Sequence, residues 1–338
     1  MAYPSIIDPF RLAQDTRAIL KQPNVWSKTK DMNLYQTVAS TQTVIQVMER
    51  NRILYIFDPQ ERGSSPTRLT QISRNLYSIP ILHYYTEMSI RGSDVQDRVD
   101  LLTGMKTMGM DEAIADAMQY QRMSHSINME YAGLCAFLKG VLVASDSTEH
   151  LNVFEIFGLT QKVIDFELSN VSLDVRAKCM EVARHIELNL RGDISNGKQA
   201  FVSPLFMDAL SKHPQVEKAF ANTQLAADRL GGDVRNGFQF GGINFVEYNA
   251  LMPDLAGNTR KFIEDNLAFA FPLGTRDTFF MYYGPPDLNS INMANVAGQE
   301  VYALTVPDPL GKCVSLHVES DPLPLCRRPE VLVKLTMS

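Results

Sequence analysis

The chain lacks the features that mark secreted, membrane-spanning and nucleic-acid-binding proteins. Its four cysteines, Cys135, Cys179, Cys313 and Cys326, lie far apart, which offers neither a disulfide framework nor the paired spacing of a zinc ribbon. A reducing, cytosolic place of folding fits that usage. No stretch approaches the ~20 apolar residues of a membrane span, and the opening Met1-Ala2-Tyr3-Pro4-Ser5 has no basic region followed by an apolar one. The expectation is a protein neither exported nor membrane-spanning. Basic runs are missing as well, and a formal net charge of -6 disfavours avid binding to phosphate backbones, which needs clustered Lys and Arg. Internal repeats and low-complexity segments are absent.

Catalytic signatures are equally scarce. His83, His125, His150, His185 and His213 are dispersed, without a neighbouring nucleophile or a His-Glu-x-x-His pattern. The glycine-rich run Gly231 to Gly237 ends on Phe238 where a phosphate loop needs Lys, so it reads as a turn between helix and strand. Cys313 and His317 can share one strand face, with Cys326 nearby, yet the spacing matches no metal signature and small apolar packing accounts for buried Cys. Asp254, Glu264, Asp265, Asp277 and Asp287 crowd the C-terminal third. A pair of them would suit acid–base chemistry, but turns and solvation explain Asp at such positions. No cofactor and no metal is expected, and a soluble enzyme with a carboxylate site is the less favoured alternative.

What is present is a chain that can bury a large core: 338 residues, 45% hydrophobic and 21% charged, enough for two domains or one with long extensions. Residues 1–40 are polar and broken by Pro4, Pro9 and Pro23, leaving a short helix over Phe10 to Lys21 within an arm. Val44-Ile45-Gln46-Val47 and Ile53 to Phe57 flank the polar turn Glu49 to Arg52 and predict a hairpin. Residues 60–74 hold only Leu69 and Ile72 as large apolar side chains. So long an excursion is uncommon inside a compact domain and reads as a binding loop. Arg62, Gly63, Arg68, Leu69 and Ile72 are therefore the candidates for contact with another copy.

A long helix is predicted from Glu112 to Lys139, capped by Asp111 and closed by Gly140, with Tyr120, Met123, Ile127, Tyr131, Leu134 and Leu138 as its apolar stripe. At 1.5 Å rise, about 28 residues span roughly 42 Å. Val141 to Ala144, Val153 to Phe157 and Lys162 to Leu168 read as strands. A second helix follows, capped by Ser172, striped by Val175, Cys179, Val182, Ile186 and Leu190, and ended by Gly192. A third starts at Ser203-Pro204. Beyond Gly231 the chain turns β-rich.

From Phe262 onward the residues follow a recognisable order: Phe262-Ile263-Glu264-Asp265, then Ala268 to Thr275, then Phe279 to Asp287, then Ser320-Asp321-Pro322-Leu323-Pro324-Leu325 and Arg328 to Val333. This resembles the lambda-type major capsid protein family of tailed bacteriophages. Leu134 to Gly140, Val163 to Phe166 and Asp58 to Gly63 fit more loosely, and Trp26 to Asn33 departs from the apolar residues the family shows before its hairpin.

The resemblance implies an α+β chain of the Hong-Kong-97-type phage capsid fold. Its parts would be an N-terminal arm (1–40), a hairpin and extended loop (41–92, the loop near 58–85), a peripheral domain on a spine helix (93–170), an axial domain (171–310) and a C-terminal strand returning to the peripheral domain (311–338). It further implies hexamers and pentamers that close an icosahedral shell around double-stranded DNA, assembly in the host cytoplasm, and residence in the virion capsid. A portal and a decoration protein would be partners. Since no long helix precedes the arm, a separate scaffolding protein is expected. An encapsulin-like compartment is the alternative within the same fold.

Overall fold

The computed structural model describes residues 9–22, 27–50, 74–96, 109–143, 148–221, 237–254, 257–289, 293 and 295–337. In the first third the elements are α1 (Pro9–Lys21), α2 (Lys28–Asp31), β1 (Gln36–Ala39), β2 (Val44–Arg50), β3 (Arg74–Pro80), β4 (Tyr84–Arg91) and α3 (Gly92–Val95). Next come α4 (Met110–Leu134), β5 (Val141–Val143), β6 (Glu149–Asn152), α5 (Val153–Ile156), β7 (Lys162–Asp165), α6 (Val175–Asn189), β8 (Gly197–Val202), α7 (Pro204–Lys212) and α8 (Pro214–Ala221). The rest is β9 (Phe238–Phe240), β10 (Ile243–Glu247), β11 (Leu251–Pro253), β12 (Thr259–Lys261), β13 (Leu267–Leu273), β14 (Phe279–Tyr283), β15 (Tyr302–Pro307), β16 (Cys313–Ser320), β17 (Pro322–Cys326) and β18 (Val333–Thr336).

Three sheets organise the chain around the long helix. The largest runs β7-β18-β13-β8-β10-β9. Its strand β13, Leu-Ala-Phe-Ala-Phe-Pro-Leu, is buried over its five central residues, the continuous apolar run expected of a strand covered on both faces. Pro272 is tolerated because β13 meets β18 only over Leu267 to Ala270, so Pro272 has a single partner strand, β8. Against this sheet packs α6, whose Val175, Cys179, Val182 and Ile186 are fully buried as the stripe predicted. Its cap, however, is Asp174, whose carboxylate accepts from the Ala177 N–H at 3.1 Å, and not Ser172.

A second sheet, β1-β14-β17, sits under the C-terminal end of the spine. The two prolines of β17 fall on alternate positions for a geometric reason. Gly284 N–H donates to Asp321 O and Arg327 N–H to Thr278 O, so in the antiparallel register Pro322 and Pro324 occupy the non-hydrogen-bonded places, where no N–H is needed. The third sheet, β15-β16-β4, is covered by α1 and the N-terminal half of α4 through Ile19, Ile90, Met118, Leu316 and Val318.

The spine is 25 residues of α-helix followed by a wider five-residue turn, Cys135–Lys139. It ends on Gly140 at φ 66°, where a Cβ would lie 2.3 Å from the Phe154 ring, so only glycine fits. Its N-cap is Gly109, one turn ahead of Glu112, whose carboxylate accepts from the Gly109 N–H at 3.1 Å; the predicted cap Asp111 lies inside the helix.

Several expectations are corrected. Tyr120 and Met123 are exposed and Ile127 is half-buried, and the face turned inward carries Gln121, Arg122, His125, Ser126 and Glu130. Only Leu134 and Leu138 of the predicted stripe reach the core. The strand opposite Val44 to Val47 is Arg74 to Pro80, not Ile53 to Phe57, and residues 49 and 50 continue β2 where a turn was expected. Val153 to Ile156 forms one helical turn, because the Asn152 side chain accepts from the Glu155 N–H at 3.1 Å and caps it.

Candidate subunit interface

The ribbon β2–β3 is the feature that carries the predicted contact loop. Its register runs from Val44 opposite Pro80 to Arg50 opposite Arg74, so the ribbon's two ends are the Val44–Pro80 pair and the Arg50–Arg74 pair. The root is held by Ile45, Val47 and Ile79, buried against Ala136, Tyr282, Leu323 and Leu325, and by Tyr77, whose ring centroid lies 4.8 Å from that of Phe157. Val44 and Leu76 face outward, Leu76 at 57% exposure. Among the described residues β2 and β3 pair only with each other, leaving both outer edges of the ribbon open to another chain. Arg62, Gly63, Arg68, Leu69 and Ile72 all fall within 51–73 and lie outside the described residues.

The arm is fastened to the body by polar contacts. Asp15 Oδ2 accepts from Thr305 N–H at 2.8 Å and from its hydroxyl at 2.6 Å, and Thr16 Oγ1 accepts from Ala303 N–H at 3.3 Å. Further along, the Glu130 carboxylate of the spine accepts from the hydroxyls of Ser27 and Thr29 and from the Thr29 N–H at 3.2 Å. Lys30 pairs with Glu300, which also accepts from Arg122 at 2.9 Å. These bonds explain why Trp26 to Asn33 departs from an apolar pattern: Ser27 and Thr29 are buried, and their partners are charged.

The buried polar face of the spine has its own partners. Thr86 donates to Gln121 Oε1 at 2.7 Å and lies 2.8 Å from His125 Nε2, while His125 Nδ1 lies 2.7 Å from Ser320 Oγ. Burial, reinforced by the nearby Arg122 charge, lowers the His125 pKa to about 4, so the ring is neutral.

Beside the ribbon root lies an acidic cluster that connects two pieces of the sequence signature. Asp321 is hydrogen-bonded to His83 Nδ1 at 2.6 Å, and Glu319 accepts from the Leu288 N–H at 3.0 Å. Burial raises the Glu319 pKa to about 7, against the opposing Leu288 hydrogen bond and with Asp321 adding to the rise. Burial likewise raises Asp321, though the His83 bond opposes it. For His83, burial works against the charged ring, but the Asp321 bond and the Asp321, Glu319 and Asp287 charges outweigh it and the pKa rises.

The other groups weighed for chemistry are scattered. Asp254 pairs with Arg260, Glu264 with Lys139, Asp265 with Lys261 and Asp277 with Arg327. His185 meets the Glu330 carbonyl, His213 the Asn170 carbonyl, and His150 is exposed. Cys313 and His317 lie on β16, whereas Cys326 is buried on β17 in another sheet, its thiol pushed up to about 12 by burial. Of the glycine run 231–237 only Gly237 is described, entering β9. Among the described residues no three His, Cys, Asp or Glu side chains are placed to hold a metal, and no helix is long and apolar enough to cross a membrane.

A family model described as phage major capsid protein E matches residues 12–337. The chain belongs to that family. The major capsid protein of Salmonella phage Felix O1 is 27% identical over 96% of this chain and 95% of its own length. That of Pseudomonas phage KPP10 is 23% identical over 98% of both. Among solved structures, the putative capsid protein of a prophage of E. coli CFT073 superposes with a TM-score of 0.54 at 13% identity, covering 81% of this chain and 83% of that one. The mature capsid of bacteriophage PhiM1 gives 0.50 at 12% identity over 90% and 85%. The fold is the Hong-Kong-97-type capsid fold, and this member of the capsid E family is a major capsid protein of the tailed-phage type.

The residues that sequence reasoning missed are the polar spine and the acidic cluster. Only the acidic cluster had a signal, since Asp321 and Asp287 stand within the quoted motifs; the structure joins those motifs through the Gly284 N–H to Asp321 O bond of 2.8 Å.

Proposed function

We propose that copies of this chain form hexamers and pentamers that close an icosahedral shell around double-stranded DNA, with assembly in the host cytoplasm and residence in the virion. The observation that carries this reading is the capsid-family match over residues 12–337. The open ribbon supports it physically: a two-stranded hairpin is marginal alone, and another copy lying alongside supplies the missing partner surface. Closed shells arise when one heterologous contact repeats around a ring, and modest contacts in number make a durable particle.

Arg62, Gly63, Arg68, Leu69 and Ile72 are the residues we assign to that contact. Within each copy we divide the chain into arm, extended loop, peripheral domain, axial domain and returning strand at 40, 92, 170 and 310. Strand β18 supports the last step by pairing with β7, within 93–170. The shell works without a catalytic step, and a net charge of -6 suits a wall that holds DNA without gripping it. Scaffolding, portal and decoration proteins complete the set of partners.

Expression of the full chain, followed by electron microscopy and sizing, tests the reading. Closed particles, or hexamers and pentamers that convert to them, are the expected result. A chain that stays monomeric across salt and concentration overturns it, and particles that hold protein cargo in place of DNA point to a compartment.

A further inference from the structure

A cleft of about 750 Å³ opens between Thr43, Val44 and Gln46 at the start of β2 and the loop Gly284 to Asp287, with His83 and Asp321 in its wall. Three carboxylates crowd it: Asp287 and Asp321 line it, and Glu319 lies behind. Asp321 is 5% exposed. Its Oδ1 is bound to His83, but its Oδ2 is buried with no hydrogen-bond partner. A carboxylate oxygen in that position lacks the donor that would offset its desolvation. A carboxylate oxygen accepts from an N–H or O–H group, and beside three carboxylates a positively charged N–H donor is the best match.

We infer that this cleft receives a Lys or Arg side chain from a second copy of this chain, whose N–H group completes Asp321. The inference rests on the shell reading above. Three observations favour another copy as the source. The cleft is acidic while the chain carries 32 Lys and Arg residues. One wall is β2, whose outer edge pairs with no strand among the described residues, so an extended segment of a neighbour can lie along it. Next to Asp321, the rings of His83, Tyr85 and His317 stack at 8° to one another with centroids 6.4 and 6.0 Å apart, a flat surface that suits a guanidinium. Tyr85 is 48% exposed, so the ladder is open to an incoming side chain.

The test is a cryo-electron-microscopy map of assembled wild-type particles, joined to assembly measurements on Asp321→Asn. A basic side chain of a neighbouring copy within hydrogen-bond distance of Asp321 is the expected result. The variant, with an unchanged near-ultraviolet circular dichroism spectrum, is expected to need a roughly tenfold higher chain concentration for half-assembly, the effect of about 1.4 kcal/mol per contact. Particles in which the cleft holds only water or a group of the same chain overturn the cleft assignment and leave the shell standing. A chain that forms no particle overturns both. Should Asp321→Asn fail to fold, the wild-type map still decides.

Discussion

Glu130, near the C-terminal end of α4, accepts hydrogen bonds from both the hydroxyl and the backbone N–H of Thr29. Since Ser27 donates to the same carboxylate, one side chain fixes the path of the arm over the spine. Glu130→Leu leaves the buried Thr29 N–H without its partner, at a cost of about 2–3 kcal/mol. Denaturant unfolding of unassembled chain measures that loss, and proteolysis at Lys28 or Lys30 should quicken in parallel. Unchanged stability with faster cleavage would show that the arm opens independently of the body.

Glu319 gives the chain a pH dependence of definite sign. Its folded pKa, about 7, lies above the ordinary carboxylate value, so its contribution to stability is full below about 4.5 and is lost as pH rises through 7. Asp321 and His83 face it, and the Leu288 and Asp287 backbone N–H groups donate to it. Glu319→Gln keeps an acceptor for Leu288 and removes the charge. It should be more stable than wild type at pH 8, by on the order of 3 kcal/mol, and equal to it near pH 4.5, as read from unfolding midpoints.

His125 tilts the balance the other way. Its folded pKa, about 4, lies below the free imidazole value, so its contribution is present above about 6.5 and is lost as pH falls through 4. Between about 4.5 and 6.5 the two groups therefore oppose each other, and the wild-type stability curve should be flat. Removing one exposes the other. Glu319→Gln should show stability rising with pH across that window and His125→Gln stability falling with pH, although the latter starts lower because Thr86 and Ser320 lose their partner. Parallel curves for the two variants would contradict the assignment.

The legible parts of this fold are those in which a residue's environment is set by near neighbours. Helix α6 was readable because every position of its stripe is apolar and packs on one sheet. The spine was located but its inward face was misread, since the partners of Gln121, His125 and Glu130 are Thr86, Ser320, Ser27 and Thr29, remote in the chain. Hydrophobic periodicity has no means of registering a buried face made of polar groups. The β2 partner failed for a related reason: Ile53 to Phe57 was the nearest β-rich run, while the strand actually paired begins at Arg74. Of the site, the signature segments 279–287 and 320–325 were visible as words, but their pairing across Gly284 and Asp321 belongs to three dimensions.

Gly298 makes one of those long-range joints depend on a missing side chain. Its N–H donates to Ser40 O at 2.9 Å, and a Cβ there would stand 2.0 Å from the Tyr283 carbonyl oxygen. Backbone cannot move aside as a flexible side chain can. Gly298→Ala should push the loop 295–300 off β14 and lower stability by about 3 kcal/mol or more. Thermal unfolding checks this, and a variant within about 0.5 kcal/mol of wild type would mean that the loop relocates freely.

The segment proposed for the subunit contact can be separated from folding. The ribbon's register is set by residues 44–50 and 74–80, and its root is buried through Ile45, Val47 and Ile79. Deleting 62–72 removes Arg62, Gly63, Arg68, Leu69 and Ile72 together. The shortened chain should keep the circular dichroism spectrum and, within about 1 kcal/mol, the unfolding free energy of the unassembled wild type, because shortening a surface loop alters closure entropy only slightly. Closed shells should be absent from its electron micrographs at concentrations where wild type assembles. Normal particles from the deletion would move the subunit contact elsewhere, to the open ribbon edges or the acidic cleft, and a chain that no longer folds would show that this segment packs on its own body.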